Sequence, residues 1–395
     1  MNNIPKIYLK RGKETPLLRM HPWVFSGAID ILPDKCKDGD VVAVYSQSRN
    51  FLAIGHYSPG SIAVRIISFE PVSPDSEFWN KKISEAFELR TALGLTNSPL
   101  TNSYRLIHGE GDGLPGLIVD IYNKTAVIQA HSAGMFLARK EIASALTNVL
   151  KNQITTVFDK STETLSKSSG LNAINKALIG TETDSEISEN GLLFKINIPD
   201  GQKTGFFIDQ RDNRALLHKY SDGKKILNTF CYTGGFTIAA LKGGAAFVHS
   251  VDSSKKAIEI TKENILLNNF DQEKNQCIEE DTLVFLKKCE TSYDIIILDP
   301  PAYAKHLSAK HNAVQGYKRL NAEAMKKINK GGLLFTFSCS QVIDKKLFAD
   351  TVTAAAIESG RSLKILHQMT QAPDHPVSIF HPEGEYLKGL VLYID

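Results

Sequence analysis

The stretch from Lys225 to Asp252, KILNTFCYTGGFTIAALKGGAAFVHSVD, constrains the fold more than any other part of this chain. An apolar run ends in a glycine turn, an apolar helical stretch follows, and a second apolar run ends in an acid. A strand–helix–strand unit of this kind imposes parallel strands. The alternation continues from about residue 186 to the end. YDIIILD precedes a long helical stretch, GGLLFTFSC precedes DKKLFADTVTAAAIES, and LKGLVLYI is the last strand. The expected fold class is α/β: a Rossmann-like domain with a doubly wound, mostly parallel sheet.

Two smaller segments precede it. In residues 1–72, VVAVY, FLAIGHY and IAVRIISF are short β-branched runs separated by the turns KDGD and SPGS, as in a small β-barrel. The two prolines of PVSPDSE mark a linker. In residues 73–185, the helical stretches FWNKKISEAFELRTALGL and MFLARKEIASALTNVL flank a hairpin-like run, which reads as a small α+β domain. TETDSEISENG reads as a polar boundary loop. The expected domains are therefore 1–72, 73–185 and 186–395, and 395 residues suffice for separate cores.

Hydrophobic content of 42% and charged content of 23% are those of a globular protein. No apolar run approaches the roughly 20 residues that span a bilayer, and MNNIPKIYLKRGKE has no apolar signal core, so a cytoplasmic protein without membrane contact is expected. The five cysteines are odd in number and lack C-x-x-C spacing, which favours neither a disulfide framework nor a metal site. The net charge of +3 lies wholly in the first 70 residues, with nine Lys or Arg against six Asp or Glu. Lys10, Arg11 and Arg19, with Lys6 and Lys13, give a basic lobe suited to a polyanion; the alternative is a solvated surface.

Ligands of open α/β sheets bind beyond the carboxyl ends of the strands. Asn228, Phe230, Tyr232, Thr233 and Gly234 lie at the first such end. The turn is not G-x-G-x-x-G, so a dinucleotide is disfavoured. Asp252, 18 residues after Gly234 and followed by Ser253, suits a ribose diol, and Asp281 suits an adenine amino group. The alternative for Asp252 is a helix cap. Asp299-Pro300-Pro301 makes a rigid turn that can present Asp299 to a flat ring, with Tyr303 stacking on it; the alternative is simple strand termination. Cys339 falls at the same sheet edge, where a thiolate is a soft nucleophile. A buried small hydrophobe is its alternative. Cys231 is expected to face inward, and Cys277 and Cys289 to be structural.

HPWVFSGAI, DGDVVAVY, EGDGLPGLIVD, GQKTGFFIDQRDNR, NTFCYTGGF, DPPAY, SCS and DHPVSIFHPEGEYLKG run through the whole chain. On these motifs the sequence resembles the bacterial large-subunit ribosomal RNA methyltransferase I family. The resemblance implies a PUA-like RNA-binding domain, a central domain and a class I methyltransferase domain. It implies S-adenosylmethionine as cofactor and 5-methylcytosine formation in 23S rRNA. It implies that GQKTGFFIDQR covers the cofactor, with roles for Phe206, Phe207 and Gln210, and that Cys339 is the nucleophile. Thiolate addition at C6 turns C5 of a pyrimidine into an enamine carbon that can accept a methyl group, while Asp299 holds N3 and the exocyclic amine. Ser166 and Ser169 stand where relatives carry Arg and Glu, and Ala302 leaves the DPP turn without a second cysteine. Methylation of guanine N2, and a non-catalytic RNA-binding role, are the competing readings. Asp299, Tyr303, Lys305 or water can be the base that removes the C5 proton. Oligomeric state is open, a homodimer included.

Overall fold

The computed structural model describes residues 4–166, 169–304 and 306–395, so Lys305 lies outside the described residues. The chain divides into two compact units. The first comprises residues up to Ser188, Ile196–Ile208 and Pro373–Gly384; the second comprises Glu189–Lys195, Asp209–Ala372 and Glu385–Asp395.

The first unit contains two sheets. Six short strands between Lys6 and Ser68 form one, and Ile7, Leu9, Val42, Val44, Val64 and Ile66 fill its core. Alternating apolar positions in these β-branched runs bury one face, as strand periodicity requires. The second sheet has five strands, from Ser103–His108 to Lys176–Ile179. The helices Ser76–Ala92 and Arg139–Leu150 contribute Trp79, Ile83, Ile142 and Leu146 to the core that covers it. Asp75 starts the first helix by accepting the N–H groups of Glu77 and Phe78. Near its end, the fully buried Arg90 donates to both oxygens of Asp112 and to the carbonyl of Asp374. A buried guanidinium survives only with such saturation of its donors.

Two local expectations change. The helical stretch 135–150 is broken at Ala138 into Ala133–Leu137 and Arg139–Leu150. The expected loop 181–191 contains the strand Glu186–Glu189. Its polar composition conceals it because Glu189 is buried through hydrogen bonds from Arg214, at 2.7 and 2.6 Å, rather than through apolar contact.

The second unit is a seven-stranded sheet flanked by helices. In chain order its main elements are α1 (Arg211–Tyr220), β1 (Lys225–Thr229), α2 (Gly235–Lys242), β2 (Phe247–Asp252), α3 (Lys255–Leu267), β3 (Asn275–Glu279), α4 (Thr282–Lys288), β4 (Tyr293–Leu298), α5 (Lys310–Met325), β5 (Ile328–Ser338), α6 (Lys345–Ser359), β6 (Leu363–Met369) and β7 (Lys388–Ile394). The strand order is β3-β2-β1-β4-β5-β7-β6. The first five are parallel, while β7 runs antiparallel to both its neighbours. Ile295, Ile296, Ile297 and Leu298 of β4 are buried, as a strand covered on both faces must be. The edge strand β6 is absent from the sequence-based expectation, since LKILHQM is mostly exposed and lacks a clean apolar run. The order reverses between β1 and β4, which is the switch point where a crevice opens beyond the carboxyl ends.

Candidate active site at the carboxyl ends of the central strands

The turn after β1 is held in an unusual conformation. Phe230, Tyr232 and Gly234 have φ of 51°, 48° and 82°. Left-handed backbone at two non-glycine residues costs on the order of 1–3 kcal/mol each and persists only where neighbours over-determine it. They do so here. The Cys231 N–H donates to Val251 O (3.1 Å), the Tyr232 N–H to Asp252 Oδ2 (2.9 Å), Thr261 Oγ1 to Tyr232 O (2.9 Å) and Asn264 Nδ2 to Thr233 O (2.8 Å). A Cβ on Gly234 would lie 2.7 Å from Thr261 Cγ2, so only glycine fits. Cys231 faces inward as expected, and burial first, then the charge of Asp252, pushes its thiol up and keeps it inert.

Asp252 does not cap α3. Its Oδ1 accepts the Ser254 N–H (2.9 Å), and the cap itself is Ser254, whose Oγ accepts the Ala257 N–H (3.3 Å). A carboxylate has about four acceptor sites, so two backbone bonds leave Asp252 room for a diol. Ser253 is exposed beside it. Asp281 is exposed and caps α4 through the Val284 N–H (3.0 Å), an engagement the sequence reading did not include. Asn228 is buried in β1 and donates to Thr237 Oγ1 (2.9 Å).

Asp299 follows β4 directly. Its side chain is half-buried, and burial, reinforced by the nearby charge of Asp209, raises its pKa to about 7 against a hydrogen bond from Gln210 and the charge of Arg214. Pro300 is buried. The sequence reading named Gln210 but missed Asp209, whose Oδ2 accepts the Tyr386 hydroxyl (2.7 Å) and whose backbone carbonyl accepts the Ala372 N–H (3.0 Å). Tyr303 is half-buried, 4.7 Å from the Tyr317 ring, and against Gly316. Burial first, then Asp281, pushes its hydroxyl up to about 12, so it is a phenol at neutral pH.

Cys339 is half-buried, one residue past β5. Two bonds locate its turn: Ser340 Oγ donates to Ala304 O (2.6 Å), and Lys388 Nζ donates to Ser340 O (2.7 Å). The Asp299-Pro300-Pro301-Ala302-Tyr303 segment and the Cys339 segment are thus tied side by side.

The remaining expected residues lie in the first unit. Phe206 is buried and Phe207 half-buried, and the Tyr122 hydroxyl accepts the Phe206 N–H (3.1 Å). Lys10, Arg11 and Arg19 are exposed. Among the described residues, His21, His381 and Glu383 hold potential ligand atoms within 4.8 Å of one another. The Trp23 N–H donates to His21 Nδ1 (3.2 Å), and His21 Nε2 faces Glu383 at 3.7 Å.

The edge of β1, β2 and β4 fits an adenosyl group joined to an amino acid. Asn228 Oδ1 and Thr233 Oγ1 are buried without a hydrogen-bond partner among the described residues, an arrangement a polar ligand would relieve. Known proteins agree. Residues 173–387 match the family of S-adenosylmethionine-dependent methyltransferases, and residues 7–69 match the PUA-like domain. Ribosomal RNA large subunit methyltransferase I of Klebsiella pneumoniae strain 342 is 37% identical over 98% of this chain and 97% of its own length. The protein of that name in Escherichia coli K12 is 37% identical over 97% and 98%. A SAM-dependent methyltransferase structure from Streptococcus mutans superposes with a TM-score of 0.84 at 24% identity, over 99% of this chain and 100% of that one, which shows the shared fold. The chain belongs to the ribosomal RNA large subunit methyltransferase I family, whose cofactor is S-adenosylmethionine.

Proposed function

We propose that this protein methylates C5 of a cytosine in 23S ribosomal RNA, with Cys339 as the covalent nucleophile. The observation that carries the reading is the tie between the Asp299 and Cys339 turns through Ser340 and Ala304. It puts a carboxyl group and a thiol at one sheet edge, beside the strained turn after β1. The names of the relatives supply the substrate class.

Asp252 and Asp281 would hold the ribose and adenine of the cofactor, and Asn228, Phe230, Tyr232, Thr233, Gly234, Ser253 and Pro300 would line its bed. Gln210 would cover it. When bound, the cofactor supplies an electrophilic methyl group to C5. The chain's own residues prepare that carbon. The Cys339 thiolate forms a bond to C6, and the C5–C6 π electrons move toward C5. Asp299, with a pKa of about 7, carries a proton in a sizeable fraction of molecules at neutral pH and can give it to N3 as negative charge develops there. The C6–S electrons then return to sulfur, N3 gives its proton back to solvent, and the double bond re-forms as C5 loses its proton. The carboxylate of Asp299 or a water accepts that proton; Tyr303, protonated at neutral pH, is a donor and a stacking surface instead. Lys10, Arg11 and Arg19 would contact RNA phosphates.

Methyl transfer to unmodified 23S rRNA, with the nucleoside products resolved by mass spectrometry, tests this reading. 5-Methylcytidine is expected, and Cys339→Ser should lower transfer by at least about 10³-fold. Methylated guanosine, or a fully active Cys339→Ser protein, would favour an exocyclic amine target and end the thiol mechanism.

A further inference from the structure

We propose that Lys388 is the counter-ion of the Cys339 thiolate and sets its reactivity. The inference rests on the reading of Cys339 as nucleophile and adds the group that ionises it. Nothing in the reaction as derived above explains why that thiol should be a thiolate at neutral pH. An ordinary cysteine is only a few per cent ionised there.

Lys388 opens β7 and pairs with Ser338, the residue before Cys339, on the antiparallel neighbour β5. Its side chain is buried, with 5% of its surface exposed. Lysine is almost never buried without a reason. Two of its three donors go to backbone carbonyls, Ser340 O at 2.7 Å and Tyr386 O at 2.6 Å. Both acceptors are neutral, so neither bond balances the charge. The charged groups that face the ammonium are Cys339, Glu385, Asp344 and Lys345, and the thiolate is the largest favourable one. Lys345 in turn pairs with Glu385 at 2.5 Å, which lessens what that carboxylate gives to Lys388. The Cys339 thiolate also acts on Tyr317 from the α5 side, where the Tyr317 hydroxyl is buried. The thiol is thus within electrostatic reach of a cation on β7 and a hydroxyl on α5.

Burial draws the Lys388 ammonium down to about 8 while the thiolate holds it up. The two ionisations support each other. Ionised, the sulfur keeps the S–H electron pair and its proton goes to solvent. Raising the pH above about 8 discharges the lysine and removes that support. Lys388 touches no reacting atom in this account; it is a positioning residue acting through Cys339.

The test is the pH profile of Cys339 alkylation by iodoacetamide, followed by mass spectrometry of the peptide that carries it. The readout needs no methyl transfer. In the wild type the thiol should titrate below the ordinary value of about 8.5. Lys388→Met should slow alkylation about tenfold at pH 7, a shift of roughly one unit, with the rates converging near pH 10. Lys388→Arg should keep most of the wild-type profile. S-adenosylmethionine affinity by calorimetry reports whether each variant is folded. A Lys388→Met profile that coincides with the wild type overturns the proposal. If both variants misfold, a wild-type thiol that titrates at about 8.5 or above overturns it equally. Failure of the nucleophile reading looks different: Cys339→Ser retains transfer whatever the alkylation profile shows.

Discussion

At the residue scale, the chemistry of the site comes from charges that are distant in sequence. Asp299 and Cys339 are legible in the sequence because each directly follows an apolar run. Asp209 and Lys388 are not, because nothing in FIDQR or YLKG says which side chains they will face. Yet burial first, and then Asp209, raise the pKa of Asp299. The sign of the consequence is definite. A carboxyl whose pKa is raised on folding binds its proton more tightly in the folded state, so its contribution is favourable at low pH and is lost as pH rises from about 4 to about 7. Asn at this position carries no such penalty. The stability of Asp299→Asn relative to wild type, measured by urea unfolding without cofactor, should therefore grow between pH 5 and pH 8. The ceiling for a shift of about three units is roughly 4 kcal/mol. A difference independent of pH would mean that Asp299 titrates normally.

At the scale of elements, the strand–turn–helix of β1 and α2 shows how a short motif becomes a rigid candidate site. Apolar periodicity places the strand and helix, and the double glycine places the turn. The left-handed conformations of Phe230 and Tyr232 are invisible in the sequence, because both residue types avoid that region in isolation. They exist because Val251, Asp252, Thr261 and Asn264, on β2 and α3, bind the turn's backbone. Gly234→Ala should therefore fail twice, through about 1–2 kcal/mol of backbone strain and through collision with Thr261. Calorimetry should show S-adenosylmethionine binding at least about tenfold weaker, whereas unchanged affinity would mean that the turn relaxes freely. The same logic separates Asp252 from Ser254. Both are good capping residues in sequence, and the hydrogen bonds assign the cap to the serine. Strands β6 and β7 mark the limit of pattern reading. The buried β7 was expected, whereas β6, mostly exposed at the sheet edge, was not.

At the scale of the whole molecule, function is divided along the chain. The excess positive charge belongs to the first 70 residues, and the chemistry belongs to the methyltransferase portion. Charge reversal at Lys10, Arg11 and Arg19 should weaken RNA binding and flatten its dependence on salt, by a slope of about 0.7–0.9 for each phosphate no longer neutralised. Affinity for S-adenosylmethionine should not change. Equal salt slopes for variant and wild type would assign these side chains to the solvated surface. Amino-acid order by itself determined the α/β class, the β-rich amino end, the ligand-binding edge and the residue types available there, because hydrophobic period and glycine or proline punctuation act over a few neighbours. Tertiary structure alone decided which charges meet. Arg90 finds Asp374 across 284 residues, Arg214 finds Glu189, and Lys388 comes to the turn that carries Cys339. Long-range pairing of buried polar groups has no local signature. Each is made tolerable only by a partner that the fold, not the neighbouring sequence, brings within reach.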